Sequence, residues 1–299
     1  MEQDSVQTAF DSHSFQAKGR TIGCRECPLV MGVVNVTSDS FYDGGRYIDL
    51  NKAVAHALHL VEQGADILDI GGESTRPGAS SVDEQEERAR VIPVVAELAR
   101  RVTVPISVDT TKSGVARAAL DAGASIINDV SALRCDGAMA SVVARSGAAV
   151  VLMHMQGTPQ TMQVAPQYHD VVAEVADFLE ERMNVAVDAG IPKSHIVLDP
   201  GIGFGKLLEH NLAILDRLSE FMKLSRPMLV GVSRKSFIGQ LVGRPPEHRE
   251  WGTAAAVAIA VDRGAGILRV HDVAAMAEVV TVAAAVRSRQ YSIKQEHHA

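Results

Sequence analysis

From residue 29 onward, short apolar runs rich in β-branched residues alternate with longer stretches whose apolar positions recur at helical spacing. The runs are "LVMGVVNV", "ADILDIG", "VPISVDT", "ASIINDV", "AAVVLMHM", "HIVLDPG", "RPMLVGVS" and "GILRVHD", eight in all. Runs of this length, apolar nearly throughout, read as strands covered on both faces. Between them, segments such as "LNKAVAHALHLVEQG", "SVDEQEERARVIPVVAELARR", "TKSGVARAALDAG" and "YHDVVAEVADFLEERMNVAVDAG" read as helices. In the first of these, Ala53, Ala57, Leu60 and Val61 share a face. Several close on glycine, as in "EQGAD", "DAGAS" and "RSGAA", where a left-handed cap suits that residue best.

Eight strand-then-helix units predict an α/β chain built as a single (β/α)8 TIM barrel over residues 29–290, with the active site at the C-terminal ends of the strands. An open doubly wound sheet is the alternative, because the count of units does not by itself establish closure. Residues 1–28 are polar and aperiodic and read as an N-terminal arm or a cover for the barrel bottom; residues 291–299 read as a polar tail.

Composition narrows the function. A formal net charge of −7, with basic residues scattered rather than clustered, argues against nucleic acid as a partner and leaves a small-molecule ligand. The longest Ala/Val stretches, "GTAAAVAIAVDRG" and "VAAMAEVVTVAAAV", are broken by charge before the roughly 18–20 residues that span a bilayer, so no membrane association is expected. Three cysteines and no charged-then-apolar leader suit the cytoplasm. Cys24 and Cys27 form a C-x-x-C, but structural zinc takes about four ligands and no second pair exists, so the motif reads as a turn.

Nearly every strand ends in a polar side chain. Asn35 follows "MGVV", Asp69 lies in "ILDIGG", Asp109 follows "ISV", Asn128 and Asp129 follow "SII", and His154 follows "VVLM". Asp199 follows "IVL", Ser233 to Lys235 follow "LVGV", and Arg269 and His271 close "ILRVHD". Taken singly, each reads as a turn former, a helix cap or a wall residue. Recurrence at the same edge of the strands is what marks a site. The connections after the first and second strands, "NVTSDSFYDGGRY" and "GGESTRPGASSVDE", read as the two longest loops and as lids over it.

Asp109, Asp199 and Asn128, joined by Lys235, come from the third, sixth, fourth and seventh strands. They offer acceptors for a cyclic guanidine-like edge and a donor for a carbonyl, which suits a pterin ring. Arg269, His271 and Asn35 come from the eighth and first strands, neighbours in a closed barrel, and suit an anion with its Mg²⁺. "DPGIGFGK" invites a phosphate reading, yet Lys206 is followed by Leu207 and neither the Walker nor the dinucleotide spacing is present. Its glycines are expected to let the backbone pass close to a flat ring.

"MGVVNVTSDSFYDGG", "DIGGESTRPGA", "SVDTTKSGVARAALDAGASIINDVS", "LMHMQGTPQTMQ", "LDPGIGFGK", "GVSRKSFIG" and "RVHDV" occur in this order between about residues 29 and 275, and together the chain resembles the dihydropteroate synthase family. The resemblance implies a transferase of folate synthesis that joins 6-hydroxymethyl-7,8-dihydropterin diphosphate to 4-aminobenzoate by a dissociative substitution. By the same resemblance Asp109, Asn128, Asp199 and Lys235 hold the pterin, and Asn35 contacts Mg²⁺. Arg269 and His271 hold the diphosphate and, with Arg76, act as electrostatic catalysts. Phe41, Asp43, Thr75 and Arg76 belong to the lids around diphosphate and 4-aminobenzoate. Phe204, Lys235 and Ser236 form the aminobenzoate pocket. The resemblance also implies a homodimer built on the late helices and a sulfonamide target. Ser38, Tyr42 and Ile202 depart from the family's common residues, and none removes a ligand-binding group. A pterin-binding methyltransferase on the same barrel is the close competitor, disfavoured by the lid motifs and "RVHD"; a nucleotide-binding or non-catalytic module is the distant one.

Overall fold

The structure, a computed structural model, describes residues 14–23, 27–36, 46–74 and 81–289. Eight parallel strands carry the fold: β3 (Leu29–Asn35), β4 (Ile67–Gly71), β5 (Ile106–Asp109), β6 (Ile126–Asp129), β7 (Ala149–Met153), β8 (Ile196–Asp199), β9 (Leu229–Val230) and β10 (Ile267–Val270). They pair in the order β8-β7-β6-β5-β4-β3-β10-β9, and a parallel bridge between Leu198 and Met228 brings the two ends together. The sheet is therefore a barrel and not an open sheet. β9 is the short one: the run "RPMLVGVS" pairs with β10 only at Leu229 and Val230 before the chain leaves at Gly231.

Around the barrel lie α1 (Arg46–Glu62), α2 (Glu84–Leu98), α3 (Ser113–Ala122), α4 (Met139–Ser146), α5 (Val171–Asp188), α6 (Leu208–Asp216), α7 (Ser236–Val242), α8 (Glu250–Asp262) and α9 (Val273–Ser288). Local chemistry sets their ends. The Asp83 carboxylate accepts the Glu86 N–H at the start of α2, and that of Asp170 accepts from Val172 and Ala173 at the start of α5, satisfying donors that a helix leaves open.

Strand alternation explains how one barrel holds both a core and a site. Successive residues point to opposite faces. Leu68, Ile127, Val150, Leu198 and Leu268 pack outward against the helices in one large cluster. Their neighbours Ile67, Ile126, Ala149, Val197, Leu229 and Ile267 point inward and form a separate, lower cluster. Two residues further along the same inward face stand Asp69, Asn128, Asp199 and Arg269. The interior is thus apolar at the bottom and polar at the top.

A hairpin of β1 (Ser14–Ala17) and β2 (Arg20–Gly23) closes the bottom, where Phe15, Ala17 and Ile22 join the lower cluster. Buried Arg226 bolts it in place: Nε donates to the Ile196 carbonyl (2.9 Å) and Nη2 to those of Ser14 and Ser194 (3.1 Å each). Among the described residues, no helix is long and apolar enough to cross a membrane.

Candidate active site

At the C-terminal ends of the strands a pocket opens between Asp109, Asn128, Asp199, Lys235, Arg269 and His271, with Phe204, Met153, Val130 and Ser233 completing its wall. All four residues assigned to the pterin, together with Phe204, Arg269 and His271, therefore meet in one place. Asn35 ends β3 and is exposed, and Ser236 is the exposed first residue of α7; neither lines this pocket. Phe41, Asp43, Thr75 and Arg76 lie outside the described residues, as do Ser38, Tyr42 and Cys24.

The polar floor is a connected network. Asp69, fully buried, accepts from Arg269 Nε (2.7 Å) and from Asn128 Nδ2 (3.1 Å) through one oxygen, Oδ2. Arg269 Nη2 donates to Asp109 Oδ2 (3.1 Å). Arginine carries five N–H groups, so three remain for a ligand beyond these two bonds. Tying Nδ2 of Asn128 to Asp69 fixes the orientation of its amide and leaves Oδ1 buried with no partner, an acceptor waiting for a donor. Asp69 was visible as a strand-end carboxylate in the sequence, but nothing there showed that it joins the anion-binding arginine to the ring-binding amide.

The site's carboxyls are tuned by burial. Desolvation pushes Asp199 up to about 6, although its Oδ1 accepts the Gly201 N–H (2.7 Å) and Lys235 is near. It pushes Asp109 up to about 7, with Asp69 adding to the rise and Arg269 opposing it. Lys235 is lowered to about 8, first by burial and then by Arg269. Its Nζ stands 4.1 Å above the centre of the Phe204 ring, a cation–π contact at the pocket edge. His271 is lowered to about 4 by burial and then by Arg269 and Arg234, so the imidazole is neutral near pH 7. Ser233 Oγ accepts the His271 backbone N–H (3.2 Å) and lies 3.0 Å from Nδ1.

Neighbours in sequence divide between chemistry and scaffold. Asn128 faces the pocket, whereas Asp129 turns away and accepts from the backbone N–H groups of Ser131 and Leu133 (2.8 Å each), the turn-forming role. His154 is a wall residue, pushed down to about 2 by burial and then by Lys206.

One expectation needs correction. The longest strand-to-helix connection among the described residues is not a lid after β3 or β4 but residues 154–170, between β7 and α5. This loop folds over the glycine loop: Gln163 Nε2 donates to the Gly203 carbonyl (2.8 Å) and Tyr168 Oη to that of Gly205 (2.7 Å). Gly201 and Gly205 also pack closely against that segment. A Cβ on Gly201 would stand 1.9 Å from the His154 carbonyl oxygen, and one on Gly205 2.8 Å from that of Gln156. Both residues also have positive φ, +67° and +61°, which favours glycine on its own account.

Comparison with known proteins agrees with this geometry. Residues 31–271 match the model of the pterin-binding enzyme family, and the chain belongs to that family. Its relatives narrow the placement. A dihydropteroate synthase of Escherichia coli strain K12 is 49% identical over 269 residues, covering 90% of this chain and 95% of that protein. The Yersinia pestis dihydropteroate synthase, solved as a sulfonamide drug complex, superposes with a TM-score of 0.87 at 46% identity, covering 92% of this chain and 99% of the other. The Xanthomonas albilineans dihydropteroate synthase, solved with 4-aminobenzoic acid, gives 0.86 at 50% identity, covering 93% and 99%. Within the pterin-binding enzymes, the chain falls among the dihydropteroate synthases.

Proposed function

We propose that the chain condenses 6-hydroxymethyl-7,8-dihydropterin diphosphate with 4-aminobenzoate, giving 7,8-dihydropteroate and diphosphate, a transferase step of folate synthesis. The observation that carries this is the pocket itself: buried acceptors of Asp109, Asn128 and Asp199 on one side, a guanidinium with three open N–H donors on another, and Phe204 under Lys235 at the rim. The first set matches the donor-rich edge of a pterin, and Arg269 matches the leaving anion.

On this reading the reaction is a dissociative substitution. The bond between the exocyclic methylene and the diphosphate oxygen breaks, the diphosphate leaves with the electron pair, and the electron-rich ring shares the positive charge. The amine nitrogen of 4-aminobenzoate then forms the new C–N bond and loses one proton. The protein supplies placement and charge stabilisation more than covalent chemistry. Arg269 holds the departing diphosphate, and neutral His271 adds an N–H donor. Lys235 faces the pterin carbonyl, and Phe204 stacks beside the incoming ring. Thr75 and Arg76, with Phe41 and Asp43, act from the lids and exclude water.

Asn35 is the proposed Mg²⁺ contact. The donor set suits that ion only together with the substrate: the described residues hold no group of three or more His, Cys, Asp or Glu placed for a metal, whereas Mg²⁺ commonly takes few protein oxygens and completes its shell with phosphates and water. Mg²⁺ would neutralise charge on the leaving diphosphate. Ser236, at the start of α7, would meet the aminobenzoate carboxylate. The test mixes protein, both substrates and Mg²⁺; diphosphate release that depends on 4-aminobenzoate supports the reading, and release without it or none at all refutes it. The methyltransferase alternative predicts pterin binding with no diphosphate release.

A homodimer and a cytoplasmic setting complete the proposal. α8 and α9 pack together and expose Trp251 (84%), Ile259, Val282 and Val286, apolar area of the kind that subunit contacts cover. Sedimentation of Val286→Glu beside the parent chain tests this: a shift from dimer to monomer supports it.

A further inference from the structure

Lys206 closes "DPGIGFGK" and carries the one basic side chain of that loop, yet it does not line the pocket. Its side chain folds back into the loop it ends and is 3% exposed. Nζ donates to the carbonyls of Gly201 and Phe204 (3.0 Å each) and to Nδ1 of neutral His154 (2.8 Å). The His154 carbonyl lies 3.5 Å away as a fourth neighbour. Burial lowers Lys206 to about 7, against the pull of Asp199, and the surrounding acceptors match the three hydrogens of its ammonium form, so Nζ is directed into the loop rather than at a phosphate or a pterin.

What Lys206 grips decides what it does. Gly201 is held at both ends, its C=O by Lys206 and its N–H by Asp199 Oδ1 (2.7 Å), so the ammonium and the pterin-facing carboxylate share one residue. Phe204, the second residue gripped, carries the ring beneath Lys235. His154 is the anchor on the barrel side, at the end of β7, and Gly201 is pressed against it too closely for any side chain. The loop therefore closes around a buried cation and is pinned by that cation to the neighbouring strand.

We propose that Lys206 is a positioning residue of the reaction: from the centre of the loop it sets Asp199 against the pterin and Phe204 against the aminobenzoate ring. This rests on the function proposed above. It goes beyond it in joining the two substrate subsites through one side chain that touches neither substrate. Arg269 and His271 stand on β10 and the turn after it and make no hydrogen bond to the loop, so Lys206 does not position the anion site.

The test is Lys206→Met, which keeps most of the side-chain length and removes the three donors. KM for 4-aminobenzoate and Kd for the dihydropterin substrate are each expected to rise about tenfold or more, while Kd for inorganic diphosphate with Mg²⁺ stays within twofold. A purely structural role would lower Tm and the active fraction and leave KM for 4-aminobenzoate and Kd for the dihydropterin substrate unmoved. A folded variant with that KM and that Kd unchanged, or with diphosphate affinity lost in equal measure, overturns the proposal. Should Lys206→Met not fold, His154→Leu decides: a several-fold rise in KM for 4-aminobenzoate supports the proposal, and no rise overturns it. Absence of activity in the parent chain would instead refute the function itself, so the two failures are distinguishable.

Discussion

Replacing Asp199 by Asn probes the pterin assignment with little change of shape. In the parent chain Oδ1 accepts the Gly201 N–H and the carboxylate lines the pocket. An amide has one acceptor and one donor group where the carboxylate has two acceptors. If its nitrogen faces the pocket, a donor meets the pterin's donors; if it faces Gly201, a donor meets the loop N–H. Either orientation leaves a buried mismatch and gives up a bond to a charged acceptor, about 1.5–3 kcal/mol, or roughly ten- to a hundredfold in Kd. The pH dependence supplies a second readout. Burial pushes Asp199 up to about 6 and Asp109 up to about 7, and a pterin edge that donates hydrogen bonds selects their ionised forms. Affinity therefore falls as pH drops through this range, by up to two protons per ligand in the parent and about one in Asp199→Asn. Titration calorimetry of the dihydropterin substrate between pH 8 and 5 measures both quantities. A folded variant with parental affinity at pH 8, or with an unchanged pH slope, refutes the assignment.

Asp69→Asn can keep an oxygen where Oδ2 accepts both donors but removes the charge that orients Arg269. KM for the dihydropterin diphosphate is expected to rise by the equivalent of about 1–3 kcal/mol, with KM for 4-aminobenzoate nearly unchanged in steady-state kinetics. His271 sits at about 4 when the site is free, and an adjacent diphosphate raises it. Diphosphate binding near pH 6 is thus expected to take up protons, read as a buffer-dependent enthalpy that disappears in His271→Asn. Arg226→Met takes the donor from the buried Ile196 carbonyl and from the part-buried carbonyls of Ser14 and Ser194 at the barrel bottom, and a loss of about 1–3 kcal/mol should appear as a lower Tm with kcat unaltered.

Where sequence and structure agree, the reason is the parity of the strands. In "ASIIND" the apolar Ile126 sits two places before Asn128, and "HIVLD" repeats the relation with Val197 and Asp199, so inward-facing polar positions are legible wherever the inner apolar residue is. Parity also separates Asn128 from Asp129, which residue type alone does not. The barrel's closure was expected from eight units, but the bond that proves it lies in the Leu198–Met228 bridge, between runs whose pairing no local pattern encodes. The length of the loop of residues 154–170 is not legible in the sequence because the run "AAVVLMHM" continues apolar past the strand's end at Met153. Met155 and Met162 are buried against Val130 and Phe204 over the site rather than in the barrel wall. Lys206 shows where pattern reading stops. A lysine after three alternate glycines looks like a phosphate ligand, and its direction depends on how those glycines turn. With Gly201, Gly203 and Gly205 all at positive φ, the chain curls so that the last side chain enters the curl. The same three glycines would serve a phosphate cradle if the curl presented N–H groups inward. Here it presents carbonyls, those of Gly201 and Phe204, and a cation is what fills a ring of carbonyls.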